Sequence, residues 1–315
     1  VPSGKDANNL KITLQRNFKN LARSVINSAM TPEFAEKVTA RLIRANLMSE
    51  DFIPFGVHSF ERDTWVLKET KTGIRIWCSL DERAISRPIL LNSYELAETE
   101  FIARTVRSGS VVIDAGANLG YHTLHAAQLV GKDGVVHAFE PLPFLADALE
   151  ASILENSFQL RIKVYRSALD ERAGQLLLRH APKTANFGGA HLAVGKTTPA
   201  AHTDIKVKTV SIDETIPAGQ CNFIKIDIEG AEPRLIEGAK ALLSRSKPII
   251  LSELHEAQLR AVSGIGATDY IKQLSGYGYS CFRLNSDGTQ GRAVDRFSDL
   301  NPVNVIFRAL EGTTS

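Results

Sequence analysis

Hydrophobic positions change their spacing twice along this chain. Leu10, Leu14, Phe18, Leu21 and Val25 recur every three to four residues, which makes one apolar helix face. Thr31-Pro32 reads as an N-cap with proline at the first helical position, opening a helix with Phe34, Val38 and Leu42 on one side. Between residues 60 and 91 the pattern turns to strands: Trp65-Val66-Leu67 and Ile74-Arg75-Ile76-Trp77 flank Lys71-Thr72-Gly73, a hairpin connection. Asn92, with Glu95 three residues on, resembles a capping box for a helix running to about Val106.

After Ser108-Gly109 the pattern alternates strand and helix. Short apolar runs at 111–114, 135–139, 162–165, 223–228 and 248–251 suit buried parallel strands. Helical stretches at 123–130, 145–156 and 232–244 fall between several of them. Residues 279–284 and 304–309 are strands with no helical pattern between them. Parallel units closed by an antiparallel pair predict an α/β fold with helices on both sheet faces. Residues 180–204, rich in Gly, Ala and Thr, read as a substrate-facing loop. They carry His180, His191 and His202, whose even spacing matches no metal motif. Two regions are expected: residues 1–92, a helical and hairpin extension, and residues 93–315, the α/β domain.

Composition narrows the classes. With 315 residues, 43% hydrophobic and 23% charged, the chain is neither collagen-like, disulfide-scaffolded nor largely disordered. A formal net charge of +2 argues against nucleic acid as a partner. No apolar run reaches the roughly 18 residues of a membrane span, and no signal-peptide pattern opens the sequence. Cys78, Cys221 and Cys281 suit neither a disulfide framework nor a zinc site. The expected compartment is therefore the cytoplasm. Lys5, Lys11, Arg16, Lys19 and Arg23 make the first helix basic; packing on its own domain or on a second copy is expected over a membrane surface. A homodimer through the N-terminal region is one expectation, a cap over the acceptor pocket the other.

The candidate chemistry sits at strand ends. The first parallel strand leaves through Asp114-Ala115-Gly116-Ala117-Asn118-Leu119-Gly120-Tyr121-His122-Thr123. Glycines there permit a tight turn and close approach to a ligand. Their spacing is not that of a dinucleotide fingerprint. Asp114 is badly placed for a pyrophosphate and suits a ligand with an ammonium group, such as S-adenosylmethionine. Glu140, before Pro141 at the second strand end, suits both ribose hydroxyls. Ser167 and Ala168 follow the third strand as small residues for an adenine pocket. The fourth and fifth strands deliver Asp227, Glu229 and Glu232, and Glu253 and His255, to the same edge. A carboxylate or imidazole there can take the proton of an alcohol as it is methylated. Asp227 serves the donor's amino group, the chemistry, or both. Glu229 and Glu232 also suit a helix start in any protein, and His255 a structural role. The acids are also ligands for a hard cation, but no spacing specifies such a site, so no metal is predicted.

These segments together resemble the FkbM-type methyltransferase family: Val111 and Ile113 through Gly120, Phe139-Glu140-Pro141, Ala168-Leu169-Asp170, Ile224-Lys225-Ile226-Asp227-Ile228-Glu229-Gly230-Ala231-Glu232 and Ser252-Glu253. The resemblance covers about residues 93–308, and the "IKIDIEGAE" segment is its specific part. It implies a Rossmann-like class I methyltransferase fold with a mostly parallel seven-stranded sheet. It also implies S-adenosylmethionine-dependent O-methylation of a sugar, glycan or polyketide-like natural product. Gly116, Asn118, Gly120 and Thr123, with Tyr121 beside them, match its cofactor loop. Glu140 matches its ribose carboxylate, and Asp227 and Glu229 its fourth-strand acids. The motif does not settle the base, which stays among Asp227, Glu229, Glu253 and His255. A nicotinamide-dependent dehydrogenase and a non-enzymatic scaffold on the same fold are the competing readings.

Overall fold

The computed structural model describes residues 57–60, 63–80, 82–180, 189–192, 202–216, 220–297 and 301–309. The helices expected within residues 7–50, with their basic face and any dimer they would form, lie outside the described residues. Strands β1 (Val57–Phe60), β2 (Asp63–Glu69) and β3 (Arg75–Ser79) form an antiparallel sheet in that order. Gly73, at φ +81°, closes the β2–β3 turn where the spacing predicts it. Helices α1 (Ser86–Leu90) and α2 (Leu96–Thr105) follow.

The α/β unit then runs β4 (Val111–Ala115), α3 (Tyr121–Val130), β5 (Val135–Phe139), α4 (Pro143–Glu155) and β6 (Ile162–Tyr165). An inserted segment holds β7 (Ala168–Leu169), β8 (Gly174–His180), β9 (His191–Leu192) and β10 (Thr203–Val210). After the short α5 (Ile212–Thr215) come β11 (Phe223–Ile226), α6 (Glu232–Glu237), α7 (Lys240–Ser246) and β12 (Ile249–Leu254). The chain ends with α8 (Glu256–Ser263), α9 (Ala267–Ser275), β13 (Tyr279–Leu284), β14 (Gln290–Ala293) and β15 (Val303–Ala309).

The main sheet has the order β14-β13-β15-β12-β11-β4-β5-β6. Strands β6, β5, β4, β11 and β12 are parallel, and β15, β13 and β14 join antiparallel. Chain order reverses between β4 and β11, and ligands in open α/β sheets bind beyond the strand ends at such a switch point. The fold is the expected α/β class, with eight strands in place of seven. The additional one, β14, is a four-residue polar edge strand with no apolar run to reveal it.

Each face of the sheet has its own core. One gathers Leu124, Val130 and Leu149 with Trp65, Ile76 and Trp77. The other packs Leu235, Leu242, Tyr270 and Phe307. The small sheet is joined to the first core by polar contacts: Trp77 N donates to Ser152 Oγ on α4 at 3.0 Å, and Arg75 N to Asn156 Oδ1 at 2.9 Å. The expected single helix over 232–244 is two, α6 and α7, meeting at Gly238. A Cβ at Gly238 would lie 2.2 Å from the carbonyl oxygen of Asp170, so a backbone approach, not a helical pattern, governs that position. Within the stretch 180–204, the described residues His180, His191, Leu192, Thr203 and Asp204 lie in strands, not in a loop. β8, β9 and β10 form, with β7, a separate sheet of order β7-β10-β8-β9.

Candidate active site

A cleft of about 260 Å³ opens at the carboxyl ends of β4, β5, β11 and β12. The inserted sheet supplies an apolar wall through Leu176, Leu178, Ala190 and Leu192. Ala84 and Ile85 close another side. Their turn is organised by the buried Glu82 carboxylate, which accepts the N–H groups of Ala84 at 2.8 Å and Ile85 at 2.7 Å.

The loop after β4 is built around two glycines. Gly116 has φ +82°, and a Cβ there would stand 2.0 Å from the carbonyl oxygen of Asp227. Gly120 has φ +91° and sits against Leu149. Close packing of the loop on the end of β11 thus admits no side chain at Gly116, while a Cβ at Gly120 would meet the Leu149 side chain of α4. Asp114, 2% exposed, accepts from Thr123 Oγ1 at 2.5 Å through Oδ2. Its other oxygen, Oδ1, is buried and has no hydrogen-bond partner. Buried polar atoms are nearly always satisfied, so this orphan acceptor on a cleft-lining residue marks a place for a donor group from outside the chain.

Glu140 ties two loops together. Its Oε2 accepts Asn118 N and its Oε1 accepts Leu142 N, both at 2.8 Å. Burial pushes its carboxyl up to about 7, against the pull of those two backbone donors. Each oxygen retains a second lone pair for a ligand hydroxyl. Asn118, Tyr121, Pro141, Ser167 and Ala168 line the same cleft. Thr123 acts one step back, through its bond to Asp114.

On the other side stand the acids of β11 and β12. Asp227, Glu229 and Glu253 all line the cleft. Glu229, at φ +56°, accepts from the Gln258 side-chain amide. Burial, then the charges of Asp227 and Glu253, push its carboxyl up to about 8. Glu253 rises to about 8 for the same reasons, burial first and the Asp227 charge second. Glu232 does not reach the cleft: its Oε1 accepts Ile228 N and Gly230 N, both at 3.2 Å, and fixes the loop that carries Glu229. His255 is not brought to the site either. It is the N-cap of α8, where Nδ1 accepts Gln258 N at 3.4 Å, and it is absent from the cleft lining. A β-strand end delivers it, and its imidazole faces the helix start.

Three groups escaped the sequence reading. Lys225, 7% exposed, lines the cleft and donates to Asp227 Oδ2 at 3.2 Å. A lysine inside the apolar run Phe223–Ile226, two residues before Asp227, is the signal that could have found it. Glu95 was expected to complete a capping box with Asn92. Instead it takes the left-handed N-cap position of α2, φ +37°, with no side-chain cap bond. Its Oε2 lies 2.5 Å from His122 Nε2 on α3, and both residues line the cleft. Burial raises the Glu95 carboxyl, but Lys225 and His122 outweigh it and hold it at about 2. No sequence spacing links residues 95 and 122. Among the described residues, no group of three or more His, Cys, Asp or Glu side chains is arranged to hold a metal ion. No described helix is long and apolar enough to cross a membrane.

Comparison with known proteins places this arrangement. A family model described as the methyltransferase FkbM domain matches residues 114–281, from Asp114 through the acidic strand ends to Cys281. A curated protein-L-isoaspartate O-methyltransferase of Methanocella arvoryzae is 36% identical over 63 residues, which is 20% of this chain and 33% of that protein. The chain thus spans about a third of that relative's length. Among solved structures, a methyltransferase FkbM from Methylobacillus flagellatus is 17% identical, with TM-score 0.41 over 70% of this chain and 54% of its own. A SAM-dependent O-methyltransferase from Thermotoga maritima is 13% identical, TM-score 0.38, over 67% and 64%. An rRNA methylase from Streptococcus thermophilus is 12% identical, TM-score 0.39, over 73% and 100%.

Proposed function

The chain belongs to the FkbM methyltransferase domain family, and from that premise we propose that it is an S-adenosylmethionine-dependent O-methyltransferase acting on a hydroxyl of a sugar, glycan or polyketide-like acceptor. The observation that carries the donor assignment is the orphaned Oδ1 of Asp114, beside a glycine loop with no room for a side chain at Gly116. An ammonium group satisfies that oxygen; a pyrophosphate is repelled by it.

When bound, S-adenosylmethionine supplies an activated methyl group on a positively charged sulfur. The chain's residues do the rest. Asp114 and Asp227 receive the amino group, and the Gly116 loop allows the close approach. Glu140 accepts the ribose hydroxyls, and Ser167, Ala168 and Pro141 border the adenine. The apolar wall from the inserted sheet excludes water from the acceptor's path. Glu229 and Glu253, raised to about 8, take the acceptor's hydroxyl proton in their ionised form, because a base titrating near the working pH combines availability with driving force. Orientation of the acceptor oxygen matters as much as the base, since the donor is already activated.

The test is calorimetric titration with S-adenosylmethionine and S-adenosylhomocysteine, with and without EDTA. Micromolar binding in both conditions supports the donor site and makes a metal unnecessary for it. Binding of neither refutes the enzyme reading and favours a scaffold on the same fold. Transfer from labelled donor to a panel of hydroxylated acceptors follows, in which Glu229→Gln and Glu253→Gln lower turnover while leaving homocysteine-product affinity in place.

A further inference from the structure

Lys225 has no part in the donor or acceptor roles above, yet an ammonium only 7% exposed inside an apolar strand is the least ordinary group of the cleft. Burying it is unfavourable unless it is paired. Three carboxylates from three elements surround it. Asp227, two residues along the same face of the chain, accepts from Nζ at 3.2 Å. Asp114 on β4 is its in-register neighbour in the parallel ladder, so both side chains leave the sheet on one face. Glu95, at the start of α2, interacts with it electrostatically. The other titratable groups facing this cluster are Glu253 on β12, Glu229 and Glu232 after β11, Glu140 after β5, Tyr94 before α2 and, beyond Glu95, His122 on α3.

We propose that Lys225 is the positioning residue for the amino-acid end of the donor: its ammonium, bonded to Asp227 and in register with Asp114, holds both side chains in place to receive the donor's amino group. This rests on the donor site argued above. Several carboxylates in one buried pocket repel one another, and without a counter-ion some take up protons at neutral pH and lose their hold on an ammonium. Burial lowers the lysine's own proton affinity, but Asp227, Glu95 and Asp114 outweigh it and keep the side chain charged.

The experiment compares two ligands. S-Adenosylhomocysteine carries the amino-acid end, and 5′-methylthioadenosine has the same adenosine and thioether without it. Dissociation constants are measured by calorimetry for the wild-type chain, Lys225→Met and Lys225→Arg at about pH 6.5 and about pH 8.5. The wild-type chain prefers S-adenosylhomocysteine. In Lys225→Met that preference falls about tenfold or more at the lower pH, the equivalent of one pKa unit of lost charge stabilisation, and partly returns at the higher pH. Methylthioadenosine affinity stays within roughly threefold, and Lys225→Arg keeps most of the preference. Lys225→Gln serves in the same comparison where Lys225→Met does not fold. Equal weakening of both ligands, or an unchanged preference at both pH values, overturns the inference while leaving the donor site standing. Failure of the wild-type chain to bind either ligand overturns the donor site, and this inference with it.

Discussion

Replacing Glu232 by Gln should stabilise the protein, increasingly so as pH rises from 4.5 to about 7. Glu232 is 3% exposed; one oxygen accepts two backbone N–H groups at 3.2 Å, and the other, Oε2, is buried without a partner. Burial is the main cause of a carboxyl raised from 4.5 to about 7, with the Asp227 charge adding to it. The sign follows from linkage. For an acid whose folded pKa is raised, the native state is favoured in full below the unfolded value, here 4.5. That advantage is lost as pH rises toward the folded value of about 7, and stays lost above it. At 1.36 kcal/mol per unit, the loss is about 3 kcal/mol at full ionisation. Gln keeps the accepting oxygen and places an uncharged NH₂ where Oε2 stands, so it resembles the protonated acid. Urea unfolding at about pH 4 should show the two proteins within about 0.5 kcal/mol. At about pH 8.5 the Gln variant should be more stable by up to about 3 kcal/mol, a melting-temperature gain of several degrees. A Gln variant equally destabilised at both pH values would refute the reasoning, because the carboxylate would then be holding its loop by charge, not despite it.

Other expectations follow from single positions. Gly116→Ala and Gly109→Ala both force a side chain onto a positive φ, but only the former meets atoms within 4 Å; thermal denaturation should give about 1 kcal/mol for Gly109→Ala and at least about 3 kcal/mol for Gly116→Ala. Asp114→Asn should weaken S-adenosylhomocysteine by roughly tenfold to a hundredfold in calorimetry, the worth of a hydrogen bond to a charged group; unchanged affinity would remove the donor role from Asp114. His255→Ala should cost about 1 kcal/mol of stability through the lost α8 cap and leave product affinity unaltered; a loss of affinity would return His255 to the site.

The α/β architecture and half of the site were legible because both are written locally. Apolar runs bounded by polar and glycine positions mark buried parallel strands, and the residues just beyond them must face the crevice whatever the rest of the chain does. Asp114, Gly116, Glu140 and Asp227 are of this kind, and all four line the cleft. The inserted sheet was hidden for the opposite reason. β8 and β10 face solvent along much of their length, and pairing over seven registered positions joins them in one sheet.

Sequence by itself determined which residues stand at the ends of the strands and that a tight glycine turn lies among them. Tertiary structure alone decided which of those residues are neighbours and in what charge state. Lys225 lies beside Asp114 because β4 and β11 pair in that register. Glu95 meets His122 because the start of α2 packs against the first turn of α3, not because of any spacing between them. Glu232 and His255, alike in sequence to the residues that reach the cleft, are turned to the backbone at 228–230 and to the helix start at Gln258. Periodicity dictates the face on which a side chain emerges, whereas hydrogen-bond competition and burial, which depend on atoms distant in the chain, dictate what it touches and whether it keeps its proton.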